Sequence, residues 1–338
     1  MILAVASGKG GTGKTTVAVN MARVLGSDVR LLDCDVEEPN AHLFLKGELG
    51  EEETVTIPIP EVDESLCDGC GECGRFCEYH AIVSFGTKLL VFPEMCHGCG
   101  GCAKVCPKKA IREMNQRIGV VETIESGNVT LIKGRLDVGV AIAPPLIRAV
   151  KARLQNGIPA ILDAPPGTSC PVIATLRGAD FVVLVTEPTP FGLHDLKLAV
   201  DVVRELRIPF GVVVNRVGIG DDRVHVFCKQ EGIPILLEIP DDRRIAEVYS
   251  RGEIIVEAMP EYRAHFKPLW EAVLERKSTD LHDPAGVATR VATPGASRGG
   301  AGTSRQRSDA GVGGGVSFRE RVRAYGSPER PQKRCDRA

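Results

Sequence analysis

The chain has 338 residues, 43% hydrophobic and 25% charged, which describes a soluble globular protein with one large core and a smaller module. Its formal charge of −2 hides an asymmetry: from Lys277 onward 12 Lys/Arg face 6 Asp/Glu, a net +6 that leaves −8 elsewhere and argues against nucleic acid as a partner of the body. No apolar run approaches the roughly 18 residues of a membrane span, and the first strand begins at once without a signal peptide, so no membrane partner and a cytoplasmic location are expected.

The first apolar run, Ile2 to Ala6, reads as a buried strand, and Val17, Val19, Met21 and Leu25 mark a helix soon after it. Between them, Gly8 to Thr15 spell GxxxxGK[ST], the phosphate-loop pattern in the context it requires. Gly8, Gly10, Gly11 and Gly13 let backbone N–H groups converge on an anion, and Thr12 and Thr16 complete the loop. Lys14 is expected to reach the terminal phosphates of ATP or ADP, and Thr15 to supply a hydroxyl ligand to Mg2+.

A second strand over 29–32 ends in Asp33-Cys34-Asp35, carboxylates at the strand end where open α/β sheets place their sites. Asp33 and Asp35 share a strand face, so Asp33 is expected near the metal, whereas Cys34 points the other way and reads as a packed thiol.

After an acidic, proline-containing stretch over 46–63 the composition changes. Cys67, Cys70, Cys73 and Cys77 form a C-x2-C-x2-C-x3-C run, and Cys96, Cys99, Cys102 and Cys106 repeat it 29 residues later. Ala81-Ile82 recurs as Ala110-Ile111 at the same offset, so this is an internal duplication. The runs resemble the bacterial two-cluster ferredoxins, in which the fourth cysteine of each run ligates the other cluster. That pattern assigns Cys67, Cys70, Cys73 and Cys106 to one 4Fe-4S cluster and Cys77, Cys96, Cys99 and Cys102 to the other. Zinc and disulfides are the rivals, but zinc sites use cysteine pairs separated by longer loops. The first run departs from the pattern in having Glu78 where proline follows the last cysteine, which adds negative charge near a cluster without touching ligation.

Beyond the cysteines, strands are expected over 119–124 and 129–132, joined by a hairpin across Ser126-Gly127-Asn128. A helix over 144–156 starting at Pro144-Pro145 precedes a buried strand over 160–163. Further strands over 181–186, 210–215 and 235–240 alternate with helices over about 192–206, 241–251 and 262–276. The expected fold is therefore α/β, a mostly parallel phosphate-loop sheet with helices on both faces, interrupted by a small α+β ferredoxin-like module. Its expected division is 1–57 and 118–277 for the ATPase body, 58–117 for the module, and 278–338 for a disordered tail that includes Cys335.

With Lys9, the loop reads KGGTGKT and resembles the deviant Walker A motif of the MinD, ParA and Mrp ATPases and of the nitrogenase iron protein. The resemblance, over roughly residues 1–276, implies a nucleotide-dependent homodimer, or a dimer with a related subunit, in which Lys9 reaches the partner's nucleotide. It also implies that Asp35 positions or deprotonates the attacking water, and that Asp163-Ala164-Pro165-Pro166-Gly167 is the Walker B and switch II segment. Asp163 would then contact Mg2+ through water, the Gly167 N–H would sense the terminal phosphate, and Asn215 would read adenine. Cys170 sits comparably to a cluster cysteine of the nitrogenase iron protein, but that protein's other cluster cysteine has no counterpart, so Cys170 is left out of the ligands.

The leading expectation is an ATP-hydrolysing redox protein that couples nucleotide state to electron transfer through two clusters, with a redox or iron-sulfur protein partner. An iron-sulfur cluster carrier or assembly ATPase is the alternative, and a positioning ATPase with structural clusters the third. No amphipathic terminal helix supports membrane binding.

Overall fold

The computed structural model describes residues 1–86 and 88–280. Among the described residues the core is a nine-stranded sheet, assembled from short apolar segments that bury both faces. β1 (Ile2–Ala6) pairs in parallel with β8 (Ala160–Asp163) on one side and β9 (Phe181–Thr186) on the other. β10 (Phe210–Val217) and β11 (Ile235–Pro240) extend the sheet beyond β9, and β2 (Val29–Asp33) and β7 (Val129–Leu136) extend it beyond β8, all in parallel. Such strands carry no polar face, because helices cover both sides.

The two-residue period of the strands divides the core between those sides. Leu3, Val5, Leu31, Phe181, Val183 and Val213 face one apolar layer, and Ala4, Ala6, Leu32, Val182, Leu184 and Val212 face the other. The first layer is closed by α1 (Lys14–Val24), α8 (Arg243–Ser250), α9 (Ile255–Ala258) and α10 (Arg263–Asp280). The second is closed by α4 (Pro144–Lys151), α5 (Cys170–Leu176), α6 (Pro190–Glu205) and α7 (Arg223–Gln230). The predicted helix over 144–156 is thus shorter, and Cys228 of α7 is buried in the second layer. α10 carries the chain to Asp280; the rest of the tail expected from 278 onward, with Cys335, lies outside the described residues.

The parallel order breaks at the β7 edge. β6 (Ile111–Ser126) turns back antiparallel on β7 through the expected hairpin, and β3 (Glu48–Val62) pairs antiparallel with β6 as the outermost strand. The acidic stretch over 46–63 therefore holds a 15-residue strand. Pro58 and Pro60, two residues apart, are compatible with a strand because β3 lies at an edge, where prolines need surrender no ladder hydrogen bond, and its exposed glutamates discourage further pairing.

This β3–β6 ribbon runs from Glu48 opposite Glu125 to Val62 opposite Ile111 and carries the cysteine segment at its far end. There α2 (Glu72–Phe76), a hairpin of β4 (Ile82–Phe85) and β5 (Lys88–Val91), and α3 (Gly101–Val105) surround a small core of Cys73, Ile82 and Ile111. The expected module boundaries at 58 and 117 fall inside the ribbon.

Candidate nucleotide cleft and cysteine module

The loop from Ser7 to Gly13 leaves β1 and enters α1 at Lys14 with Gly13 at φ 93°, a left-handed turn that suits glycine. A Cβ on Gly13 would stand 2.5 Å from Asn215 Nδ2, and one on Gly8 would stand 2.1 Å from the Asp195 carbonyl oxygen. Those two glycines let the loop lie flat against β10 and α6. Asn215 Nδ2 in turn donates to the Thr12 carbonyl at 2.9 Å, and the Gly167 N–H to the Ser7 carbonyl at 3.1 Å.

A cleft of ≈ 400 Å³ opens over this loop. Gly10, Gly11, Gly13, Lys14, Thr15 and Thr16 form its floor, with Asp35 and Asn215 on the walls. Its far end is built by Asp241, Asp242, Ile245 and Tyr249, which follow β11; the sequence reading did not select them, although a strand's C-terminal end was the available signal.

Lys14, Asp33, Asp35 and Asp163 converge at the cleft floor and beneath it. Thr15 Oγ1 donates to Asp163 Oδ2 at 2.6 Å, while Asp163 Oδ1 is buried without a hydrogen-bond partner. Asp33 Oδ2 accepts from the N–H groups of Asn40 and Ala41, each at 3.0 Å, and its Oδ1 from the Asp35 N–H at 3.2 Å. Asp33 is thus satisfied by the backbone of the following turn, leaving Asp163 as the carboxylate with an open oxygen. A hydroxyl beside an unpaired carboxylate oxygen suits a hard cation that takes its remaining ligands from phosphate and water. Among the described residues no group of three or more His, Cys, Asp or Glu side chains could hold a metal ion. A phosphate-bound Mg2+ does not require one.

Burial pushes the Asp33 and Asp163 carboxyls well above the usual range, and each also stands near another carboxylate. Burial pushes Asp35 up to about 6, against the opposing pull of Lys14. Lys14, nearly enclosed, is pushed down by burial despite Asp163, Asp35 and Asp33 beside it. A carboxylate with a raised folded-state pKa binds its proton more tightly folded than unfolded, so ligand-free stability falls as pH rises from about 4 through 6 and beyond. We expect Asp163→Asn to stabilise the ligand-free protein by about 1–2 kcal/mol at neutral pH and to flatten that pH dependence. Urea unfolding at several pH values measures both, and an unchanged or steeper slope would contradict the electrostatic account.

Lys9 lies on the rim, with its Nζ 3.0 Å from Glu187 Oε2, and Arg216 donates to Glu187 Oε1 at 2.9 Å. Glu187, largely buried just after β9, therefore holds two cations, of which Arg216 also lines the cleft. The ion pairs of Glu187 with residues far along the chain had no sequence signal.

In the cysteine module all eight expected ligands are free thiols. Cys77, Cys96, Cys99 and Cys102 line a single cavity together with Pro58 and Pro60 of β3 and Glu113 of β6. Cys106 and Cys70 are the thiols close enough to Cys73 to add to the upward push of its burial. The fold thus brings thiols of both runs together around the small core, Cys73 with Cys70 and Cys106, and Cys77 with Cys96, Cys99 and Cys102. Burial pushes the Cys102 thiol up to about 12, so without iron it is protonated at neutral pH. Tyr79 and His97 stack at 3.5 Å between ring centroids beside the second set, a contact the sequence did not signal. Cys170 lies apart at the start of α5, and Cys34 is fully buried, its thiol raised by burial.

A phosphate loop between β1 and α1, with carboxylates at the ends of β2 and β8 in a mostly parallel sheet, defines a nucleotide-binding P-loop protein of the α/β class. The chain belongs to the CobQ/CobB/MinD/ParA nucleotide binding domain family, whose model matches residues 3–255. It is 34% identical over 259 residues to an uncharacterised protein of Methanocaldococcus jannaschii, a match that covers 75% of this chain and 90% of that one. It is also 28% identical over 280 residues to the iron-sulfur cluster carrier protein of Aquifex aeolicus, covering 77% of this chain and 63% of the relative. Among solved structures, the septum site-determining protein MinD from Pyrococcus horikoshii, in complex with Mg-ADP, superposes with a TM-score of 0.50 at 21% identity, covering 86% of this chain and 99% of that one. At that identity the likeness bears on the fold alone. Among the described residues no helix is long and apolar enough to cross a membrane.

Proposed function

We propose that this protein is an ATP-hydrolysing iron-sulfur cluster carrier, in which the nucleotide state of the P-loop body governs the handling of 4Fe-4S clusters on a ferredoxin-like module inserted over about residues 58–117. The observation that carries this reading is the β3–β6 ribbon, which is at once the antiparallel edge of the nucleotide-binding sheet and the stem of the cysteine module. The relatives named as cluster carriers favour carriage over the electron-transfer reading that the ligand count first suggested.

In this reading Lys14 and the loop N–H groups bind the phosphates of ATP, Thr15 and Asp163 hold Mg2+ with Asp33 behind them, and Asn215 reads adenine. Mg2+, when bound, supplies electrostatic stabilisation of the transferring phosphoryl group. Asp35 holds the attacking water, Gly167 responds to the terminal phosphate, and Lys9 leaves Glu187 to act across a nucleotide-dependent dimer. Free thiols and the family membership suit a reducing, cytoplasmic compartment and an iron-sulfur protein partner.

The test is anaerobic transfer from the loaded protein to an apo-ferredoxin, followed in parallel with reduction of a holo-ferredoxin, each with ATP, ADP and a non-hydrolysable analogue. Nucleotide-dependent appearance of clusters in the apo-acceptor is the expected result. Nucleotide-gated reduction with no cluster gained by the acceptor would replace it with the second reading, electron delivery, which the complete set of eight ligands supports.

A further inference from the structure

The two cysteine sets are alike in sequence and unlike in surroundings. The second run's loop is pressed on the body: a Cβ on Gly98 would stand 3.1 Å from Ile57 Cβ and 3.2 Å from Pro58 Cδ, and Ile57 is part of the main apolar core. From Cys96 through Ala103 no residue is exposed. Phe76, Tyr79, Ala81 and Ile82 complete the apolar wall of the cavity that Cys77, Cys96, Cys99 and Cys102 share.

The start of the first run is more open. Glu64, Ser65, Leu66 and Asp68 are exposed, and so is Cys70 itself. The neighbour from the second run, Lys108, reaches Asp68 only at 3.8 Å, with both side chains about half in solvent. Each set has one buried cysteine, Cys73 here and Cys96 in the other, but Cys70 is the one thiol of the eight that is exposed.

We propose that the sets have different tasks: Cys77, Cys96, Cys99 and Cys102 retain a resident cluster, and Cys67, Cys70, Cys73 and Cys106 hold the cluster that exchanges. The assignment rests on the carrier reading for its biological use, and on exposure and packing for its direction. Release of a cluster requires an incoming thiol or chelator to reach an iron–thiolate bond, and a solvent-excluding shell that touches the body's core opposes that approach. Exchange with an acceptor is ligand replacement. Each iron–thiolate bond to this chain breaks as one to an acceptor thiol forms, the acceptor's proton passes to the thiolate left behind, and no electron is added or removed.

The experiment uses the intact loaded protein under anaerobic conditions. An iron(II) chelator, bathophenanthroline disulfonate, is added, released iron is followed with time, and freed thiols are alkylated and mapped by mass spectrometry at intervals. We expect two phases differing at least about tenfold in rate, with Cys67, Cys70, Cys73 and Cys106 alkylated in the first and the other four in the second. Labelling of Cys77, Cys96, Cys99 and Cys102 first, or of all eight together, overturns the proposal. Repeating the mapping with an apo-ferredoxin in place of the chelator separates the two claims. If the chelator gives the expected order but the acceptor gains no cluster, the division between sets stands and the carrier reading fails.

Discussion

Lys14→Ala is expected to weaken ATP binding by roughly 10²-fold or more, about 3 kcal/mol, measured by calorimetric titration in the presence of Mg2+. The expectation exceeds the loss of one attractive pair because of what surrounds the ammonium. Asp163, Asp35 and Asp33 all act on Lys14 from close by. With the lysine removed, the arriving phosphates meet buried carboxylates with no adjacent compensating cation, and part of the binding energy is lost to repulsion or to carboxylate protonation. Binding in the variant should consequently improve as pH falls through the Asp35 value of about 6, because protonation removes that repulsion. An affinity within a few-fold of wild type would show that the cleft does not take the phosphates on Lys14.

Removal of iron is expected to have an effect as large, and confined to one part of the chain. The module's own buried core consists of Cys73, Ile82 and Ile111, with Cys77, Cys102 and Cys106 among the residues packed around it. Half the candidate ligands are thus also core residues, and so little apolar burial does not offset the conformational entropy of ordering the loops. Loaded protein should contain about eight irons and equivalent sulfide per chain, with an EPR signal after reduction. After chelation, hydrogen exchange should rise steeply over residues 63–110 while the nine-stranded sheet keeps its protection and the cleft still binds nucleotide. Stoichiometric zinc in anaerobically prepared protein, or unchanged protection after chelation, would sink the cluster assignment.

Much of this molecule was legible in its sequence because the relevant signals are local. β1, β8, β9 and β11 coincide with apolar runs at the residues expected, since strands covered on both faces need unbroken apolar segments. The phosphate loop and the duplicated cysteine runs were legible for the same reason: their chemistry depends on spacing along the chain. The fifteen-residue strand β3 was not, because glutamates and two prolines argue against a strand unless the strand lies at an edge, and only the assembled sheet puts it there.

The distinctions that separate chemically equal residues belong to the tertiary structure. Sequence places Asp33 and Asp35 together with Asp163 far away; the fold satisfies Asp33 with the backbone of its own turn and leaves an oxygen of Asp163 without a partner. It likewise ties Lys9 to Glu187, which lies far along the chain. Two cysteine runs of identical spacing become unequal because the ribbon presses one against Ile57 and Pro58 and leaves Cys70 of the other exposed. Residue type and local spacing therefore determined which groups are candidates for phosphate and iron. Burial and long-range packing, which depend on strand order, decided which carboxylate is open and which thiols are exposed.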